Sequence, residues 1–85
     1  MADLMRPIVN LNGTSRDALV EARIAVRQDL RSVMTSLGET APNGRDYIGE
    51  PDAYQRDLAV YRSRFAIIDA LYNQLGDEAL AIQGD

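Results

Sequence analysis

Between Tyr54 and Leu75 the chain places Tyr54, Leu58, Tyr61, Phe65, Ile68, Tyr72 and Leu75 at strictly alternating intervals of four and three. A helix advances about 100° per residue, so side chains spaced this way hold one stripe over three heptads. A strand would divide them between two faces. A stripe this aromatic and aliphatic has to be covered, and a second helix is the cover that fits it. The expected fold class is therefore all-α, with the partner to be sought elsewhere in the chain.

The partner lies upstream. Thr14 reads as an N-cap with Asp17 in the capping-box position, and Gly38 reads as a C′ residue, which bounds a helix at about 15–37. Within it Leu19, Val26 and Val33 fall seven apart, Leu30 and Leu37 fill the alternate positions, and Ala22 occupies the equivalent place one turn earlier. The second helix opens at Gly49-Glu50-Pro51-Asp52, with Pro51 near N1, and stops at Gly76, giving about 51–75. The two helices and the connecting turn 38–50 make one antiparallel hairpin domain over 1–85. Residues 1–13 form an N-terminal arm or short helix in this reading, and 76–85 a tail or a further short helix capped by Asp77. Closing the hairpin at the central turn sets Leu37 level with Tyr54, Leu30 with Tyr61, and Arg27 with Arg64.

Beside the main seam runs a second apolar stripe of Ala53, Val60, Ile67 and Leu71. One antiparallel partner cannot cover both, and a monomer of this length buries only roughly 60–65% of its unfolded surface. A homo-oligomer is the expected state. Arg64 falls angularly between the two stripes, with Asp57 two turns earlier on nearly the same line. A cation placed there needs a partner, either Asp57 or a bound phosphate.

All nine basic residues are arginine, against thirteen acidic ones, for a net charge of −4. That balance argues against polymeric nucleic acid or an anionic membrane as partner. An arginine-only set has a plain origin in GC-rich coding and a functional one in bidentate anion contacts. Arg16, Arg23, Arg27 and Arg31 share an arc bordering the first seam, where interhelical salt bridges compete with anion binding. The absence of histidine and cysteine removes the commonest general base, thiol catalysis and Cys/His zinc sites. Neither Walker-type nor dinucleotide-binding glycine patterns are present, and the carboxylates do not cluster. The reading is of a non-enzyme without cofactor or metal. No stretch resembles a signal peptide or a membrane span, so a soluble cytoplasmic protein is expected.

The segment between the helices carries more than a hinge requires. Pro42, Asn43 and Gly44 suit a chain reversal, Asn and Gly because they tolerate positive φ. Arg45, Asp46 and Tyr47 then add a cation, an anion and a ring lying outside both helical patterns. Asn12-Gly13-Thr14 is a second glycine-containing turn, opening a helix whose N–H groups can meet an anion. Tyr54, Tyr61 and Tyr72 lie in the seam and serve packing first, which leaves Tyr47 the most available ring.

Asn12-Gly13-Thr14-Ser15 opening one helix, and Pro42-Asn43-Gly44-Arg45-Asp46-Tyr47 following it, resemble the phage anti-CBASS cyclic-nucleotide sponges. The hairpin domain of the related anti-Thoeris sponges is similar, and the resemblance extends over roughly 8–83. It implies an interlocked homohexamer in the host bacterial cytoplasm. Such proteins hold cyclic di- or trinucleotide immune signals in pockets between subunits without cleaving them. On that basis Arg45 and Arg64 are assigned to phosphate, Tyr47 to stacking, and Asn12, Gly13, Thr14, Asn43 and Gly44 to base edges or phosphate. Lysines assist cyclic-dinucleotide binding in some members and this chain has none, which weighs against that pocket more than the trinucleotide one. The alternative function is a small phage structural or assembly protein that uses the hairpin to bind protein.

Overall fold

The computed structural model describes residues 4–84; residues 1–3 of the expected arm and Asp85 of the expected tail lie outside it. The described residues form two long helices and one short 3₁₀ turn, with no strand. Helix α1 spans Arg16–Gly38, the 3₁₀ turn spans Gly44–Tyr47, and helix α2 spans Pro51–Gly84. Residues 4–15 contain no helix, so the arm is extended, apart from a turn in which the Gly13 N–H donates to the Asn10 carbonyl at 3.2 Å.

Helix α1 begins one residue later than its sequence suggests. Ser15, not Thr14, is the N-cap: its backbone is extended and its Oγ accepts from the Ala18 N–H at 3.1 Å. Gly38 does not adopt a left-handed C′ conformation. It ends the helix and Glu39 follows with φ −68°, while the Thr40 hydroxyl donates to the Leu37 carbonyl at 2.7 Å. At the start of α2, Pro51 takes the first helical position, where its missing N–H costs nothing.

Helix α2 then departs from expectation, running through Gly76 without interruption for 34 residues. The 4-3 seam explains the continuity, because Ala79 and Ile82 extend it by two further steps and are both buried. Gly76 has a different reason to be glycine. A Cβ built there would lie 2.9 Å from Cζ of Arg27, whose guanidinium crosses from α1. The same guanidinium lies 3.9 Å above the Tyr72 ring, and its Nε donates to the Tyr72 carbonyl at 3.0 Å.

Arg27 also corrects the register. It meets Tyr72, eight residues beyond Arg64, and Arg23 meets Glu78. The offset from the expected pairing is about 12 Å along α2. The hairpin does not close tightly at Pro42-Asn43-Gly44. The connector instead folds back along the first turns of α2, so that stretch packs against 40–47 in place of α1.

The face that α1 turns inward is likewise rotated. Leu19, Leu30 and Leu37 are half-buried as expected, but Val26 and Val33 are 42% and 45% exposed and Ala22 is exposed. Arg16, Val20, Arg23, Arg27 and Met34 complete the inward row, while Arg31 stays outside. Arginine stems thus fill seam positions; the heads of Arg23 and Arg27 find partners on α2, whereas Arg16 Nε is buried without one among the described residues. The best-packed end is the one remote from the connector, where Val20, Ala79 and Ile82 are buried. Glu78 is buried beside them and accepts from Arg23 Nε at 2.7 Å and from the Met5 backbone N–H.

This is a thin core for the length of the molecule. The radius of gyration is 18.2 Å and the extents are 64 × 24 × 16 Å, where a compact chain of this length has roughly 12 Å. The accessible surface is 6537 Å², against roughly 5,000 Å² for a compact monomer of the same mass. Several large apolar side chains lie on that surface. Ile24 and Leu80 line one groove with Arg27 and Asn73. At about 100° per residue the opposite side of the hairpin carries Val26 and Val33 with Val60, Ile67 and Leu71. Those five are 41–67% exposed. None of the described helices is long and apolar enough to cross a membrane.

Candidate functional site

The connector builds the site. Asn43 has φ −114° and ψ 129°, and its Oδ1 accepts from the Arg45 N–H at 3.0 Å, capping the 3₁₀ turn. Neither Asn43 nor Gly44 has positive φ, contrary to the expected reversal there; among the described residues only Gly49 does, at φ +80°. Ile48 at φ −58°, ψ 123° precedes it, and the Glu50 N–H donates to the Tyr47 carbonyl at 2.8 Å. Together these make a type II turn with glycine at its obligatory third position. The 3₁₀ turn and this type II turn aim the Tyr47 side chain back at α2.

There the Tyr47 hydroxyl donates to Asp57 Oδ2 at 2.7 Å, and its ring meets Tyr54 edge-on with centroids 5.5 Å apart. Arg56 Nε donates to the other oxygen, Asp57 Oδ1, at 3.0 Å. The hydrogen bond to Asp57 lifts the Tyr47 phenol above its ordinary pKa. That bond first, and Arg56 second, hold Asp57 below the usual carboxylate value, with Arg64 adding a smaller pull in the same direction. Arg56 is raised in turn by its bond to Asp57.

Thr40, Pro42 and Tyr47 from the connector and Asp57, Val60, Tyr61 and Arg64 from α2 enclose a recess of about 240 Å³. Tyr47 and Arg64 therefore share one cavity within a single chain. The tight-hairpin register instead sets Arg64 level with Arg27, well down the helix from the turn. The distance closes because 40–47 folds back along α2. Arg64 has no hydrogen bond or ion pair among the described residues, and Asp57, which lines the same recess, accepts one bond on each oxygen, from Tyr47 and Arg56. No family model, curated protein or solved structure matches this chain.

The remaining sequence candidates are distributed unevenly. Arg45 and Gly44 are exposed on the 3₁₀ turn, outside the residues that line the recess, and the Asn43 side chain is engaged by its cap. Asn12, Gly13 and Thr14 lie at the start of α1, the far end of the hairpin, about 34 Å of helix away. One chain does not bring them to Tyr47 and Arg64. Thr40, Pro42 and Tyr61 were not singled out for the site. Asp57 entered only as a possible partner for Arg64. The one sequence signal for the recess was connector length: residues 39–50 are too many for a tight helical hairpin, whose loop takes about 2–5.

Proposed function

We propose that this protein is a non-catalytic sponge for cyclic oligonucleotide immune signals, of the kind phages use against CBASS defence. It works as a homo-oligomer, hexameric by the family resemblance, in the cytoplasm of the infected host. The observation that carries the reading is Arg64, without a hydrogen bond or ion pair among the described residues, in a recess shared with Tyr47 and Tyr61 and bordered by Val60 of the exposed apolar stripe. A planar cation suits a phosphodiester, and phenol rings suit a nucleobase face. A chain without histidine or cysteine is better equipped for capture than for turnover.

The elongated form supports assembly. Surface in excess of a compact monomer amounts to roughly 1,500 Å², and a standard interface takes roughly 800 Å² from each partner. Val26, Val33, Val60, Ile67 and Leu71 are the residues that a second copy would cover. Val60, which lines the recess beside Arg64, belongs to that face, which supports a recess close to the contact between copies.

Calorimetric titration with a panel of cyclic di- and trinucleotides tests the proposal, followed by heat release and analysis of the ligand. Wild type is expected to bind at least one ring and release it intact, with Arg64→Ala weakening binding at least about tenfold. Absence of binding across the panel, or recovery of linear product, contradicts the reading. The exposed apolar face also favours a second reading, a phage structural or assembly component. Recovery in purified virions, with a melting temperature indifferent to every cyclic nucleotide, would decide for it.

A further inference from the structure

We infer that the recess selects guanine and that Asp57 makes the selection, an assignment that rests on the ligand reading above. Asp57 is the carboxylate that lines the recess, and both of its oxygens are already oriented. Oδ2 accepts from Tyr47 and Oδ1 from Arg56. A carboxylate offers about four acceptor positions, so each oxygen keeps one open. The two existing bonds fix the plane of the group without using up its capacity.

Arg64 and Asp57 give the recess opposite ends, one for an anion and one for a donor. A ligand that satisfies both must bring a phosphate and an edge rich in N–H groups. Guanine presents N1–H and the N2 amino group side by side, a spacing that matches the two oxygens of a carboxylate. Adenine and cytosine present one amino group beside a bare ring nitrogen, and uracil one N–H between two carbonyls. Those lone pairs would face the carboxylate, and a bound base that covers Asp57 without pairing it leaves a charged group desolvated and mismatched. At about 240 Å³ the recess is smaller than the pockets that enclose whole ligands. It has room for one nucleotide of a ring, so one guanine per ring is enough to be read.

The test is a calorimetric comparison of cyclic tri-AMP with cyclic AMP-AMP-GMP on the full chain. Wild type is expected to bind the guanine-containing ring at least about tenfold tighter. Asp57→Asn, which presents one donor and one acceptor, is expected to bring the two rings within about threefold by weakening the guanine ring. Tyr47→Phe, which frees Asp57 from its hydroxyl partner, should retain the preference at reduced affinity. Circular dichroism checks that each variant keeps its helices, and the wild-type comparison decides the matter even if one does not. An all-adenine ring that binds wild type as tightly as the guanine ring overturns the assignment and leaves the sponge reading standing. Silence toward both rings, and toward the wider panel, removes that reading and the guanine assignment with it.

Discussion

Tyr47 and Asp57 hold the connector on α2 through a bond whose two ends titrate far apart. The Asp57 carboxyl is depressed, so its contribution is full above the unfolded value of about 3.9 and fades as pH falls through the lower folded value. The Tyr47 phenol is raised, so its contribution is full below about 10 and fades as pH climbs through the higher folded value. Between those limits the docking is insensitive to pH. An absorbance titration is expected to show a tyrosinate step above the ordinary phenol value that Tyr47→Phe removes. A Tyr47→Phe titration that keeps that step would contradict the bond. A second test at this scale concerns backbone conformation. Gly49→Ala places a Cβ at φ +80° and is expected to lower stability by about 1–2 kcal/mol. Gly44→Ala, at negative φ with open space around it, should fall within about 0.5 kcal/mol of wild type in the same denaturant titration.

Helix α2 is held together across Gly76 by a contact that no local pattern displays. Glycine inside a helix costs about 1 kcal/mol relative to alanine. Here the cost is offset by the Arg27 guanidinium, which lies against the bare backbone and over Tyr72. The expected outcome is a coupled pair. In the Arg27→Ala background Gly76→Ala should stabilise by about 1 kcal/mol, whereas in wild type it should gain less than half of that because the guanidinium must swing away. Equal effects in both backgrounds would remove this reason for the glycine. The heptad seam of α2 was readable because Tyr54 to Leu75 lie inward as spaced, and extending it to Ala79 and Ile82 would have revealed the uninterrupted helix. Gly76 read as a stop since its cause sits on the other helix. In α1, Val26 and Val33 fit a heptad better than Arg23 and Arg27 do, yet the arginines are the ones turned inward. Their partners, Glu78 and Tyr72, are distant in sequence. Tyr47 and Arg64 were readable one at a time, but their shared recess depends on how the connector folds back, which spacing does not encode.

At the scale of the molecule, the dominant fact is a 64 Å hairpin whose buried apolar residues cluster near one end and whose opposite side carries an uncovered aliphatic face. Few chains of this size stand alone with so little interior. Ile67, 67% exposed in the single chain, lies within that face. Ile67→Asp is expected to dissociate the assembly in light scattering, because a charge there would be desolvated by the second copy. Arg64→Ala should leave the proposed assembly intact while losing ligand, which separates assembly from capture in the proposal. Native mass spectrometry with and without a cyclic trinucleotide tests the proposed assembly and the proposed capture at once. The expected spectrum shows a multiple of the 9.4 kDa chain carrying whole, uncleaved ligand molecules. A bare 9.4 kDa monomer that takes up no ligand would contradict it.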